Sequence, residues 1–379
     1  MKALTLKQWT KSPADKYIVL PVLILSAVGI VAVYSAISFL AETKSDGDTI
    51  RFLIRHLSRL ALALGCMGVF SLINYRWLAR QASIGLVVSM ALLLIVQIVG
   101  TSSGGATRWL LGFQPSDIAR VALVLHIAAL LARKQVYVKD FGRAFIPIFL
   151  WIGGVIGLIG LEDLSTAAVV LVAVVLMCFI GRISVLHLGG LGLLGMAMIY
   201  LMLLSSPQRA ARVESYLGIK LFPTTNAEEV FSSQDEGYQA KQARIAFAVG
   251  GLTGVGPGKS VQRDFLPAPY NDFIFAIIAE EYGIIGALAL LAVFFFLLLR
   301  GFLRIARNAP DPLGLFMAVG LVSMLVLYGF VHAGVAAGLL PVTGLPFPFV
   351  SYGGTSLIAN GTMVGILLNI SRHVPGSVR

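Results

Sequence analysis

The sequence predicts an all-α polytopic membrane protein of ten transmembrane helices, with a large extracytoplasmic loop between helices 7 and 8. Three observations predict it. Of the 379 residues, 58% are hydrophobic and 12% charged, with a mean hydropathy of +0.88; a soluble domain is about a quarter charged. Apolar runs recur from end to end, each about the 20 residues that cross about 30 Å of hydrocarbon. Lys and Arg gather in alternate connecting segments, the pattern that orients membrane helices.

Residues 1–16 form a polar leader with Lys2, Lys7, Lys11 and Lys16, and no small-residue cleavage site follows it. The block 17–204 holds helices 1–7, expected at 17–40, 57–74, 83–100, 115–132, 144–161, 164–181 and 185–204. Ser116, Asp117, Arg120 and His126 interrupt the fourth. Residues 205–271 form the extracytoplasmic loop, polar and irregular at first. Polar and apolar residues then alternate near helical period over 238–250, which predicts an interfacial helix. The block 272–371 holds helices 8–10, at 272–299, 312–338 and 350–370, and 372–379 is a tail.

With the N-terminus inside, sixteen basic residues fall on inner segments. Five fall on the outer short loops: Lys44, Arg51, Arg55, Arg59 and Arg108. Both termini are therefore expected in the cytoplasm, with the long loop and the mouth of helix 8 outside. The net charge of +11 fits inner loops and anionic lipid; the basic residues do not cluster as nucleic-acid binding requires. Cys66 and Cys178 lie in apolar runs and frame neither a disulfide nor a metal site.

The chain is organised around Gly250 to Tyr282, a glycine-rich basic loop that runs into an apolar helix. Pro267 and Pro269 precede Asn271 and Asp272, so Asn271 is expected as the cap and Asp272 in the first turn. Asp272 there is either a dipole-stabilised capping residue or a reactive carboxylate at the mouth of the helix. Glu280 and Glu281 lie about 12 Å deeper, on different faces. A buried acid near mid-membrane costs at least about 2.5–3.5 kcal/mol, so each is expected either to tie helices, with Arg120 or His332 as partner, or to serve function. A nucleotide loop is excluded, because Thr253 stands where its first glycine belongs and no strand precedes it. Lys259 and Arg263 remain placed to meet lipid phosphates.

Three other places carry polar residues with a reason to be there. Gly104, Gly105, Arg108 and Trp109 form a glycine-rich turn beside an arginine, either a phosphate contact or an ordinary interfacial belt. Arg120, one turn inside the fourth helix, must face the bundle interior or water. Leu340 to Ser356 is a Pro- and Gly-rich loop that shapes a wall, with Ser351, Thr355 and Ser356 able to hydrogen-bond a ligand. No His and carboxylate flank Ser351, which argues against a serine nucleophile, and His332 has no metal-type spacing.

Gly105 to Arg120 (GATRWLLGFQPSDIAR), Tyr238 to Tyr282 and Leu340 to Arg372 resemble the SEDS family (shape, elongation, division and sporulation) of bacterial peptidoglycan glycosyltransferases. The resemblance spans essentially the whole chain. The run GVGPGKSVQRDFLP resembles the division type more than the elongation type, whereas LPVTGLP is elongation-type wording. Arg120 stands for a usual Lys, His332 for a usual Asn, Leu161 to Thr166 for Q-P-D-x-G-T, and Ala268 to Tyr270 for E-x-H.

The resemblance implies polymerisation of lipid II at the outer face of the cytoplasmic membrane during cell division. The sugar would transfer with inversion, and undecaprenyl diphosphate would leave. Asp272 is expected as the base or as a ligand of a divalent cation, Mg or Mn. Arg108, Lys259, Arg263 and Arg120 are expected on phosphates, and Trp109, Ser351, Thr355 and Ser356 on substrate. Glu280, Glu281 and His332 are expected in supporting roles. The implied partners are a class B penicillin-binding protein, other cell-division proteins and membrane lipids, without nucleic acid. A lipid II flippase, an elongation-type polymerase and a non-catalytic scaffold are the rival readings.

Overall fold

The computed structural model describes residues 13–44, 49–103, 106–110, 112–217, 219 and 236–374, with the backbone alone for 38–44, 101–103, 106–108, 207–208, 215 and 236. Lys2, Lys7 and Lys11 of the leader, Gly104 and Gly105, the loop stretch 220–235 and the tail beyond Val374 lie outside the described residues.

The helices are α1 (Lys16–Lys44), α2 (Thr49–Leu72), α3 (Tyr75–Val99), α4 (Pro115–Lys134), α5 (Ile146–Glu162), α6 (Leu164–Ile180) and α7 (Val185–Leu204). They continue with α8 (Pro207–Leu217), α9 (Glu236–Gly250), α10 (Ile274–Leu299), α11 (Pro312–Ala336) and α12 (Thr355–Ser371). Among the described residues, α1–α5, α7, α10 and α11 are the eight long and apolar enough to cross a membrane; α6 and α12 are apolar but shorter. Large apolar side chains stay exposed on outward faces, such as Leu62 and Val69 of α2, Ile84 and Val88 of α3, and Leu193 and Leu201 of α7. In lipid these faces need no cover.

Several boundaries depart from the sequence expectation. α2 begins at Thr49 rather than 57, and α3 at Tyr75 rather than 83. The added turns carry Arg51, Arg55, Arg76 and Arg80, which lower the hydropathy without breaking the helix. Asn74 caps α3 by accepting from the Arg76 N–H at 2.8 Å. Within the stretch expected as loop, β1 (Thr101–Ser103) and β2 (Ala106–Trp109) pair as an antiparallel ribbon. The helix expected over 238–250 is present as α9, and its Ala243, Ala246 and Gly250 face is buried against α10.

Close packing places the helices that carry the site. α4 and α11 are buried along most of their lengths and form the centre. α12 lies against α2 through Gly361 and Gly365, where a Cβ would come within 2.1 Å of Ala63 O and 2.6 Å of Met67 O. Two glycines four apart let these backbones touch.

The stretch around Gly250 folds as a clasp. Gly283 (φ 69°, ψ −176°) breaks α10 into two helices. The glycine-rich loop fills the break with its own backbone: the Val255 and Gly256 N–H groups donate to Glu280 O and Glu281 O at 2.9 and 3.0 Å. The Ile284 and Ile285 N–H groups donate to Gly251 O and Leu252 O at 2.9 and 3.2 Å. These two carbonyls and two N–H groups beside the break thus find partners in the loop.

The two glutamates belong to this clasp, and the expected partners Arg120 and His332 do not reach them. Glu280 accepts from Ser260 Oγ (2.5 Å), Val261 N–H (3.0 Å) and Gln262 N–H (3.2 Å). Glu281 accepts from Ser35 Oγ on α1. Helical geometry separates the two acids onto different faces as expected; the loop 260–262 is what supplies the partner of the first. Replacing Glu280 with leucine leaves three donors facing apolar surroundings, and each orphaned buried donor costs about 1–3 kcal/mol. Glu280→Leu is therefore expected to lower the thermal unfolding midpoint well below that of Glu280→Gln, which keeps one acceptor oxygen. Differential scanning fluorimetry on the purified variants checks the order.

Candidate active site

A cavity of about 470 Å³ opens at the end of the bundle where α4, α6, α10 and α12 begin. The start of α1 lies at the opposite end. There Asp15 bridges to Arg300 at 2.8 Å, and its N–H donates to Ser371 Oγ at the close of α12. Four helices, counted among the described residues, thus begin around one cavity, with the partial positive charge of their N-termini at that end. Arg59 of α2 and Arg212 of α8 add full charges to the wall, and Asp117, Asp163 and Asp272 add carboxylates.

Asp272 is half-buried in that wall and sits in a turn. Its N–H donates to Ala268 O at 3.3 Å, and α10 starts two residues later, at Ile274. The expected Asn271 cap does not form, because neighbouring loops hold this turn out of the helix. Ser351 Oγ donates to Asn271 O at 2.7 Å, and the Tyr352 N–H donates to Tyr270 O at 2.9 Å. Gly344 (φ +68°) faces the carboxylate; a Cβ there would stand 3.9 Å from Asp272 Oδ2. Burial pushes the Tyr270 phenol above its ordinary pKa, and Tyr352 and Asp272 add to that shift, so Tyr270 remains a neutral donor beside Asp272.

Behind the cavity runs a buried charge network. Thr355 Oγ1 donates to Asp117 Oδ2 at 2.6 Å, and Arg120 pairs with Asp117 Oδ1 at 3.0 Å. Arg120 is fully buried, donates to Asn360 Oδ1 at 3.2 Å, and lies over the Tyr328 ring, 4.3 Å from its centroid. Asp117 and Tyr328 line the cavity and Arg120 does not. The arginine expected on phosphate therefore stands one layer back, where it fixes Asp117.

The other expected residues divide clearly. Trp109, Thr355 and Ser356 line the cavity with Asp272. Ser351 braces the turn instead: it accepts from the Phe347 N–H at 2.8 Å while donating to Asn271. Arg263 turns to Ser35 O (3.1 Å) and Asp264 (3.4 Å), and Lys259 stands exposed on the clasp; neither lines the cavity. His332 bonds Leu345 O at 2.7 Å through Nδ1 and stacks on Phe347, holding the wall loop. Arg108 lies in β2, and its side chain falls outside the described residues.

Sequence reading missed Arg59, Arg212, Asp163, Tyr270 and Tyr352. Arg59 lies over the Tyr352 ring at 5.1 Å, and Tyr352 meets Tyr270 edge-on at 5.5 Å. Asp163 caps α6 by accepting from the Ser165 and Thr166 N–H groups and Thr166 Oγ1. Its position before Leu-Ser-Thr was a readable cap signal; the two arginines carried none beyond their charge.

Among the described residues no three His, Cys, Asp or Glu side chains converge as a metal site. The divalent cation expected from sequence has no three-ligand cage among them, and no step is derived through it. Beside the polar cavity an apolar groove of about 330 Å³ runs between α6, α7, α8 and α11, and the two share Asp163, Arg212, Val342 and Thr343.

The profile of the cell cycle protein family FtsW/RodA/SpoVE matches residues 15–375. Stage V sporulation protein E of Bacillus subtilis (strain 168) is 36% identical over 373 residues, covering 96% of this chain and 98% of the relative. The probable peptidoglycan glycosyltransferase FtsW of Geobacter metallireducens is 36% identical over 371 residues, covering 96% of each. A chain from a structure described as "Structural coordination of polymerization and crosslinking by a peptidoglycan synthase complex" superposes with a TM-score of 0.74. It is 28% identical over 95% of this chain and 98% of that one. The rod shape determining protein RodA of Thermus thermophilus superposes with a TM-score of 0.67, at 26% identity over 96% and 98%.

Proposed function

This chain belongs to the FtsW/RodA/SpoVE family of cell cycle proteins, and from that premise we propose that it is a peptidoglycan glycosyltransferase that polymerises lipid II. The division-type reading rests on the relatives named FtsW. The observation that carries the chemistry is Asp272. It is a carboxylate in the wall of a polar cavity that Arg59, Arg212 and the starts of four helices also line.

In this reading the 4-hydroxyl of one lipid-linked disaccharide attacks the anomeric carbon of another. Asp272 takes the hydroxyl proton, the new C–O bond forms, and the bond to diphosphate breaks with inversion. The diphosphate departs with the electron pair and needs no acid. Helix N-termini with Arg59 and Arg212 balance the charge that grows on it. The groove between α6, α7, α8 and α11 suits a polyprenyl tail. A divalent cation enters the proposal as an ion brought by the diphosphate, which requires only one or two protein carboxylates.

We read α1–α7 and α10–α12 as ten spans. The seventeen residues of α6 reach about 25 Å at about 1.5 Å each, close to a bilayer core. Both termini then face the cytoplasm and the cavity faces outward. A class B penicillin-binding protein that cross-links the strands is the expected partner, in keeping with the peptidoglycan synthase complex named above.

The test is reconstitution of the purified chain with its partner in liposomes, with labelled lipid II supplied to one leaflet. Glycan strands are expected on the face that carries the cavity, and lipid II is expected to stay in its leaflet. Lipid II crossing the bilayer without strand formation would make the chain a transporter.

A further inference from the structure

We propose that His56 of α2 is a positioning residue: its ring backs Tyr352, and through Tyr352 it sets Arg59 at the Asp272 cavity. His56 is fully buried, and neither ring nitrogen has a hydrogen-bond partner among the described residues. Buried polar atoms left unpaired are few in folded proteins, and each calls for a reason. What the imidazole does have is a stacked contact with Tyr352, 5.7 Å between ring centroids at an interplanar angle of 24°.

The Tyr352 ring is a junction. Arg59, Tyr270 and Tyr352 line the cavity with Asp272, and His56 stands behind them. The Arg59 guanidinium rests on the Tyr352 ring, 5.1 Å from its centroid, and Tyr270 meets that ring edge-on. The backbone of Tyr352 is tied by its N–H to Tyr270 O. Its side chain has no such tie, because the hydroxyl is buried and makes no hydrogen bond among the described residues. Packing therefore fixes the ring, and His56 supplies the stacked side of that packing.

Arg59 depends on the ring in turn. Among the described residues it makes no ion pair, and an arginine side chain carries about 2 kcal/mol of rotamer entropy that a support must offset. His56 and Arg59 are three apart, so one face of α2 carries both the charge to be placed and the group that holds its support. Alanine at 56 would leave space behind Tyr352, into which the ring tilts and takes the guanidinium with it. An imidazole without hydrogen bonds acts as a flat ring, so phenylalanine should replace it. The placement rests on packing alone, whereas its consequence for strand formation rests on the polymerase reading above.

The experiment treats the full chain in phosphatidylcholine nanodiscs with phenylglyoxal, an arginine reagent, and follows Arg59 by peptide mass spectrometry. In His56→Ala, Arg59 is expected to react severalfold faster than in wild type, while the exposed Arg55 of the same helix reacts as before. His56→Phe is expected to keep the wild-type rate. His56→Leu, which keeps volume but not a flat ring, carries the same test if the alanine variant does not fold. Strand formation by the chain with its partner is expected to fall about tenfold or more in His56→Ala and to be retained in His56→Phe. Adding His56→Ala to Arg59→Ala is expected to cost less than about a further twofold, because both changes act on one group. A folded His56→Ala chain whose Arg59 reacts as in wild type would overturn the placement. Loss of strands in His56→Phe would assign the role to the ring nitrogens and overturn it too, as would losses that multiply in the double variant. If wild type makes no strands but Arg59 reactivity still follows residue 56, the polymerase reading fails and the placement stands.

Discussion

Gly254→Ala is expected to lower the thermal unfolding midpoint by more than 10 °C or to prevent recovery of monodisperse protein, whereas Gly258→Ala is expected to cost little. Both glycines have positive φ, +81° and +73°, so both alanines meet the same backbone strain, about 1–2 kcal/mol. They differ in what surrounds them. A Cβ on Gly254 would lie 2.1 Å from Glu281 O and 2.6 Å from Gly283 N, while nothing stands within 4 Å at Gly258. At Gly254 the obstructing atoms are backbone on both sides of the α10 break, so relief requires the clasp to open. That would unpair the carbonyls of Glu280 and Glu281 and the N–H groups of Ile284 and Ile285. Gly283→Ala meets the same obstruction from the other side, 2.2 Å from Leu252 O. Thermal unfolding of the three variants in one detergent checks this; equal midpoints for Gly254→Ala and Gly258→Ala would show that the clasp is not what holds the break.

Asp272→Asn is expected to reduce strand formation by about 10²–10⁴, the range a positioned general base contributes. The amide keeps the size of the carboxylate and loses its basicity. The turn is held at its backbone: Ser351 donates to Asn271 O, and the Tyr352 N–H to Tyr270 O. Stability should therefore be nearly unchanged. Asp117→Asn offers the contrast. It lines the same cavity, but its loss leaves Arg120 fully buried without a counter-charge, and removing one partner of a buried pair costs about 3–5 kcal/mol. Asp117→Asn should lose stability along with activity, and Asp272→Asn activity alone. Initial rates measured beside unfolding midpoints for the two variants separate these outcomes.

Much of this was legible in the sequence where the signal was local. Apolar runs found the helices, and Asp272 stood out because a carboxylate met the mouth of an apolar helix after two prolines. Boundaries drifted where arginines ride on helix ends, as at Arg51 and Arg76, because hydropathy falls there and helix propensity does not. The partners of Glu280 and Glu281 were not legible. They come from the backbone of 260–262 and from Ser35, which chain geometry brings together without any periodic signal. Arg59, Arg212 and Asp163 reach the cavity from three separate elements for the same reason. Lys259 and Arg263 stand away from the Asp272 cavity because the glycine-rich loop that carries them bridges a broken helix.

The most direct test of the central claim is a gel of glycan strands made from lipid II by the purified chain with its penicillin-binding partner. Wild type and Asp272→Asn should be run side by side after both are shown to be folded and partner-bound. A ladder of strands from wild type and none from Asp272→Asn is the predicted result. A ladder of equal intensity from Asp272→Asn would contradict the account.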